Sequence, residues 1–252
     1  MMHKMTIYEN EPKTWKDLQN KVAEILTVCG YLCETEKDII TVREKVNVDV
    51  YAEINNQVSG SVIICECKFW KKKVPKHVVH SFRTVINDYG ANYGLIISKM
   101  GFQSGAFNAI KNTNVQLVNW TEFENTFRAE WIRKKLIAIS KTTKSLYDYV
   151  GVGFMVFFKE QLSKLPQDEL EKYHYLTEKY FNPVFASANI DYKNEETKEF
   201  DIEMFDNFLP HYMRELNINF CTSYENYFLH LEKICTEGLV EFDKLFEEEL
   251  RR

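Results

Sequence analysis

The sequence predicts an α/β fold with a mixed central sheet over its first half, followed by an all-helical second half. Three observations lead there. Short apolar runs of strand length alternate with helical stripes up to about residue 121. Strand signals then stop, and long helical periodicity rich in aromatics takes over. The charge divides at the same place: residues 1–121 hold 15 Lys and Arg against 12 Asp and Glu, whereas residues 122–252 hold 17 against 25.

Thr14 and Asp17 read as the N-cap and first-turn acid of a helix. Leu18, Val22, Ile25, Leu26 and Cys29 form its apolar stripe, and Gly30 stops it. A β region follows. In Val46–Tyr51 the valines alternate with other residues, which sets one face to the core and Asp49 on the other. A turn at Ser59–Ser61 leads into Val62–Lys68, so the two strands read as a hairpin with a longish loop. Pro75 opens a helix striped by Val78, Val79, Phe82, Val85, Ile86 and Tyr89. Gly94–Ser98 is apolar on both faces, as in a central parallel strand. A short helix carries Phe102, Ala106, Ala109 and Ile110 inward, and Val115–Val118 is a further strand. Thr121 and Glu124 have the spacing of a capping box at the head of a long helix. The order is α-β-β-β-α-β-α-β. The second half reads as about five helices, least regular at Ser187–Lys198. Its clearest helix is Thr222–Leu250, single or broken near Gly238. The expected domains are therefore residues 1–124 and 125–252.

Composition narrows the class. Hydrophobic content of 45% with 14% aromatics argues for packed structure and against disorder. The six cysteines form no CxxC pair, which suits reduced thiols in a cytoplasmic protein. The longest apolar stretch, Val150–Phe158, falls far short of the roughly 18 residues a membrane span needs. No membrane partner is expected, and only the mildly basic first half suits a polyanion.

The chemistry concentrates at Asp49, Glu66 and Lys68. Glu66 and Lys68 are two apart on a strand and share a face. Asp49 lies on the preceding strand. If those strands pair, two carboxylates and an ammonium converge. Two hard oxygen ligands with open positions suit Mg²⁺ better than zinc. The Glu-x-Lys triplet alone carries no weight, since it recurs at Glu11–Lys13 and Glu196–Lys198. The triplet at Glu66 differs because it sits inside an apolar strand, where charge is costly unless used.

Taken in series, Leu18-Gln19 with Val22-Ala23 and Gly30-Tyr31, then Val48-Asp49-Val50, Glu66-Cys67-Lys68, Gly94–Ser98, Gly101–Ala106 and Val115–Trp120 resemble the Mrr-type restriction endonucleases. These belong to the PD-(D/E)xK nuclease group, and the resemblance covers about residues 14–124. It implies a restriction-endonuclease-like fold and magnesium-dependent DNA cleavage, with Mn²⁺ able to substitute. Asp49, Glu66 and the main-chain carbonyl of Cys67 would hold the metal, and Lys68 would serve the attacking water. Where the family often carries a glutamate on the first helix, this chain has Gln19, which supplies no negative charge. Glu34 and Glu36 are candidate substitutes, and Glu24 reads as an exposed helix residue.

Lys71, Lys72, Lys73, Lys76 and His77 follow the candidate site and suit phosphate contacts. Arg43, Lys99, His80 and the helix start at Gln103-Ser104 are further candidates. The expected function is DNA endonucleolysis in prokaryotic restriction or anti-phage defence. The alternatives are a non-catalytic nucleic-acid- or partner-binding subunit and a nuclease acting on RNA. The helical half is expected to mediate dimerisation, regulation or docking of a protein partner. Its stripe of Tyr224, Tyr227, Phe228 and Leu231 reads as core or as such a face.

Overall fold

The computed structural model describes residues 5–55, 60–151, 153, 156, 158–197, 200–218 and 221–246. The turn residue Ser59, together with Lys198 and Leu250 at the ends of two predicted segments, lies outside them. Residues Asn10–Trp131 form one compact unit, and Met1–Glu9 with Ile132–Arg252 form the other.

The first unit has the predicted order: α1 (Trp15–Val28), β1 (Leu32–Ile40), β2 (Lys45–Asn55), β3 (Gly60–Lys68), α2 (Lys76–Tyr89), β4 (Tyr93–Ser98), α3 (Ser104–Ala109) and β5 (Val115–Val118). It is an α/β fold with a mixed five-stranded sheet. The strands lie in sequence order, antiparallel across β1–β2–β3 and parallel across β3–β4–β5. The two halves of the sheet have different causes. A hairpin can join antiparallel neighbours, but a parallel pair needs a crossover, and α2 and α3 supply these. One buried cluster gathers Ile64, Val79, Phe82, Ile86 and Ile96 with Val48 and Tyr51. On α1, Leu18, Val22, Ile25 and Leu26 are buried as the stripe predicted.

Local signals fixed the helix ends. The Thr14 hydroxyl accepts from the Asp17 amide (3.0 Å), and the Asp17 carboxylate accepts from the Lys13 amide (2.7 Å). Gly90, at φ 80°, ends α2 in the left-handed conformation that glycine tolerates. Gly94 answers a different need. A Cβ there would stand 2.7–2.9 Å from Ile86 and Phe82, so its absence lets α2 lie close on β4.

Three readings are corrected, and one alternative left open is decided. The capping box of α4 (Trp120–Val150) is built by Asn119 and Glu122 rather than Thr121 and Glu124. The Asn119 amide donates to Glu122 (2.8 Å), and the Glu122 amide donates to the Asn119 side chain (2.9 Å). Both pairs have the same three-residue spacing, and only the backbone's turn decides between them. The stretch thought least regular is helical up to Thr197, because α6 runs Gln167–Thr197. The helix α8 (Tyr224–Leu245) is unbroken at Gly238, where a Cβ would come within 2.9 Å of Leu146 and 3.1 Å of Tyr180. That glycine serves close packing rather than a break. Finally, Val48 and Tyr51 are three apart yet share the same cluster, so the alternation expected of Val46–Tyr51 slips by one within that span.

Among its described residues the second unit is helical, with the rest of α4 joined by α5 (Lys159–Lys164), α6, α7 (Ile202–Glu215) and α8. Tyr224, Tyr227, Phe228 and Leu231 are buried, and Phe205 of α7 packs against the three rings at 6.3–6.5 Å. That stripe is core, because its rings already have partners within the unit. The N-terminal segment also belongs here. The amides of Tyr224 and Glu225 donate to the carbonyls of Thr6 and Ile7, both at 3.0 Å, which satisfies first-turn donors of α8. No helix among the described residues is long and apolar enough to cross a membrane.

Gly94→Ala is expected to destabilise the protein by about 1–3 kcal/mol through overpacking against Ile86 and Phe82. Urea unfolding measures this, and an unchanged midpoint would show that α2 relaxes freely.

Candidate active site

The site arises where β2 parts from β3. Their pairing runs from Asn55 opposite Gly60 to Val50 opposite Cys65 and stops there. Beyond it, Glu66, Cys67 and Lys68 pair only with β4, opposite Ile96, Ile97 and Ser98. Cys67 has the parity of Cys65, so its amide and carbonyl face the gap that β2 has left. Buried backbone polar groups need partners. The Asp49 Oδ2 accepts from the Cys67 amide at 2.6 Å, and the Trp15 indole Nε1 donates to the Cys67 carbonyl at 3.1 Å. A break in β1 lies opposite. The β1–β2 register pairs Thr35 with Val50 and Lys37 with Val48, omitting Glu36 and Asp49, and Glu36 adopts φ 54°. Non-glycine residues seldom take that left-handed conformation.

Around this gap the predicted residues converge. Gln19 is wholly buried on α1 and donates from Nε2 to Asp49 Oδ1 at 2.9 Å. Its Oε1 has no hydrogen-bond partner. Lys68 is ion-paired to Glu66 on the shared strand face and lies 5.2 Å from the Trp70 ring centre. Burial raises both carboxyl pKa values above their ordinary range. At Asp49 the Cys67 amide, Lys68 and Gln19 oppose the rise. At Glu66 the charge of Asp49 adds to it and Lys68 opposes it. Two acids thus share one desolvated place with a single ammonium between them.

The donor set suits a divalent ion. Asp49, Glu66 and the Cys67 carbonyl are hard oxygen ligands, and the orphaned Gln19 Oε1 is a fourth oxygen in the same place. A carboxylate has about four lone-pair positions, so the two hydrogen bonds at Asp49 leave room. Among the described residues no three His, Cys, Asp or Glu side chains gather as a ligand set, so a cation here would rest on two acids plus neutral oxygens. The substitutes considered for the missing glutamate are engaged elsewhere. Glu36 pairs with Lys16 and Glu34 with Lys37, both at 2.6 Å. Glu24 is exposed, as expected.

A cleft of about 370 Å³ opens here between Trp15, Asp49, Cys67, Lys68, Phe69 and Trp70. An adjoining cavity of about 260 Å³ shares Phe69 and reaches Lys99 and Trp120. Lys71, Lys72, Lys73, Lys76 and His77 are exposed beyond β3. Their loop is pinned by a parallel bridge from Val74 to Phe102, and the Gln103 amide donates to the Val74 carbonyl at 3.0 Å. This brings Gln103 beside the lysine loop, while Lys99 lies over the Phe69 ring at 4.1 Å. His80 is exposed one turn along α2. Arg43 is not brought to this group. It sits at the β1–β2 turn, paired with Asp88 at 3.0 Å, six residues or about 20 Å of strand from Asp49. Sequence reasoning missed Trp15. An indole directly after the Thr14 N-cap was the available signal, but its partner lies 52 residues away.

Residues 12–127 match the Mrr_cat family model, described as a restriction endonuclease. No curated protein shows a significant match. A crystal structure of a protein of unknown function, AF1548, is 19% identical, with a TM-score of 0.40 over 70% of this chain and 97% of that one. A likeness that low carries no argument about function.

The raised carboxyl pKa values predict a stability profile. The folded chain holds the protons of Asp49 and Glu66 more tightly than the unfolded chain does. Their contribution is therefore full below the ordinary carboxylate range and declines as pH climbs through it to the raised folded values. The double variant Asp49→Asn, Glu66→Gln should flatten that decline in metal-free urea unfolding followed from the ordinary carboxylate range upward. A profile matching the parent would show that neither acid titrates abnormally.

Proposed function

Because residues 12–127 match the Mrr_cat restriction-endonuclease model, we propose that the chain is a divalent-metal-dependent endonuclease hydrolysing DNA phosphodiester bonds. One observation carries the reading. Asp49, Glu66, Lys68 and the Cys67 peptide meet where two strands separate, with a wholly buried glutamine offering an unused oxygen. Asp49, Glu66 and the Cys67 carbonyl would hold Mg²⁺ or Mn²⁺, with Gln19 Oε1 turned to the ion or to a water on it. Such an ion, when bound, polarises a phosphoryl oxygen and lowers the pKa of an attacking water.

The residues of the chain do the rest. The Cys67 amide and the Gln19 amide group fix both oxygens of Asp49, so the carboxylate is oriented before substrate arrives. Lys68, released from Glu66 once that acid has another cation, would orient the water and offset charge building on the phosphorus. The water forms a new P–O bond, the ester P–O bond breaks, and the leaving oxygen takes up a proton. Lys71, Lys72, Lys73, Lys76 and Lys99 support backbone binding, because none of them pairs with a carboxylate among the described residues. By contrast Lys16, Lys21, Lys37, Arg43 and Lys45 are all paired.

The family match further supports a restriction-type defence role, with residues 125–252 as a domain for oligomerisation, regulation or partner binding. The neutral Gln19 favours a second reading, a subunit that binds nucleic acid without cutting it. Activity assays separate the two.

Purified protein with Mg²⁺ is expected to cut DNA in a panel of plasmid, linear duplex and single-stranded substrates. Lys68→Ala should lower the rate on the order of 10²-fold or more. Single-stranded and duplex DNA both left intact under Mg²⁺ and Mn²⁺ alike, or equal activity in Lys68→Ala, would refute the nuclease assignment. For phosphate binding, the triple variant Lys71→Ala, Lys72→Ala, Lys73→Ala should reduce the slope of log K against log salt by about 0.9 for each phosphate no longer neutralised. An unaltered slope would remove these lysines from the interface.

A further inference from the structure

The cleft beside Lys68 is unusual for a site that would touch only a duplex backbone. Half of its six lining residues are aromatic: Trp15, Phe69 and Trp70. Phe69 already lies beneath Lys99, and Trp70 packs in part against the core under α2. Trp15 is different. Its ring edge is anchored by the Nε1 bond to the Cys67 carbonyl, yet 42% of the residue stays exposed. An indole held rigidly at the mouth of a charged cleft gains little packing from its open surface. A π-face held this way at low conformational cost is what base stacking requires.

Resting on the nuclease reading, we propose that the substrate threads this cleft as single-stranded DNA, with a base stacked on Trp15 beside the scissile phosphate. A duplex keeps its base faces buried in its own stack and presents phosphates and groove edges. A single strand offers both a phosphate and an adjacent base face. Lys68 and the unpaired lysines of residues 71–76 match the first, and the aromatic platform matches the second. The anchor also sets position. The Cys67 peptide that holds the indole is the one that holds Asp49, so the stacked base is registered to the carboxylate. Stacking is indifferent to base identity, which suits a chain in which no sequence-reading module is evident.

The test is fluorescence anisotropy with a labelled strand of about 16 nucleotides and with its duplex, in metal-free buffer where no cutting occurs. The parent chain is expected to bind the single strand more tightly. Trp15→Ala should weaken single-strand binding about 5- to 150-fold while changing duplex binding less than about twofold. Trp15→Phe, which keeps a ring but loses the indole N–H, should retain most of the single-strand affinity and guards against a folding defect. Equal binding of the strand by Trp15→Ala, or preference of the parent for duplex, would overturn the proposal. The two readings fail separately. DNA cutting that is insensitive to Trp15 would sink the platform and spare the nuclease. Trp15-dependent strand binding without any cutting would do the reverse.

Discussion

The hydrogen bond from the Cys67 amide to the Asp49 carboxylate is the constraint on which the site depends. It exists because β2 leaves β3 after Val50, just as β3 continues to its Glu-x-Lys segment. A ladder that ran two residues further would give the Cys67 amide a backbone partner. Asp49 would then have no reason to point there. The interrupted register at Glu36 and the slip in alternation between Val48 and Tyr51 belong to the same event. An irregularity in the sheet is thus what turns three dispersed side chains into one place.

Electrostatics makes that place expectant of a cation. Burying two carboxylates costs several kcal/mol unless they are compensated. Lys68 compensates one charge of two. Gln19 adds a donor to Asp49 but no positive charge, and it leaves its own oxygen without a partner. A glutamate in its position would add a third negative charge beside Asp49. The glutamine instead gives a site that is tolerable to fold, with one oxygen left unpaired. The distribution of lysines follows the same logic. Those on α1 and the β1–β2 hairpin are neutralised within the protein, while Lys71, Lys72, Lys73 and Lys76 have no carboxylate partner among the described residues.

The helical unit shows how far local pattern can mislead about detail while being right about kind. Propensity at Gly238 leaves a single or a broken helix open, and its bare Cα, which lets Leu146 and Tyr180 approach α8, shows what the glycine is for. Two overlapping acid spacings competed to cap α4, and they differ by only two residues along the backbone. The stretch from Ser187 is short of apolar periodicity, and still the helix continues through Thr197. Residues 6–7 close the first turn of α8 more than 200 positions later, which no local reading could supply.

By itself the sequence determined the order of helices and strands, the core stripes of α1 and α2, and the face shared by Glu66 and Lys68. Each of these follows from a period of 3.6 or 2 along a contiguous segment, so it is written in neighbours. It also marked Asp49 as the second acid, through a charge between buried valines. Only the tertiary structure decided that Gln19 would reach Asp49, that Trp15 would seize the Cys67 carbonyl, and that Arg43 would be spent on Asp88. Those pairings join residues 30 to 52 positions apart. They are chosen by where strands diverge and helices pack, and the side-chain pattern does not encode that choice locally.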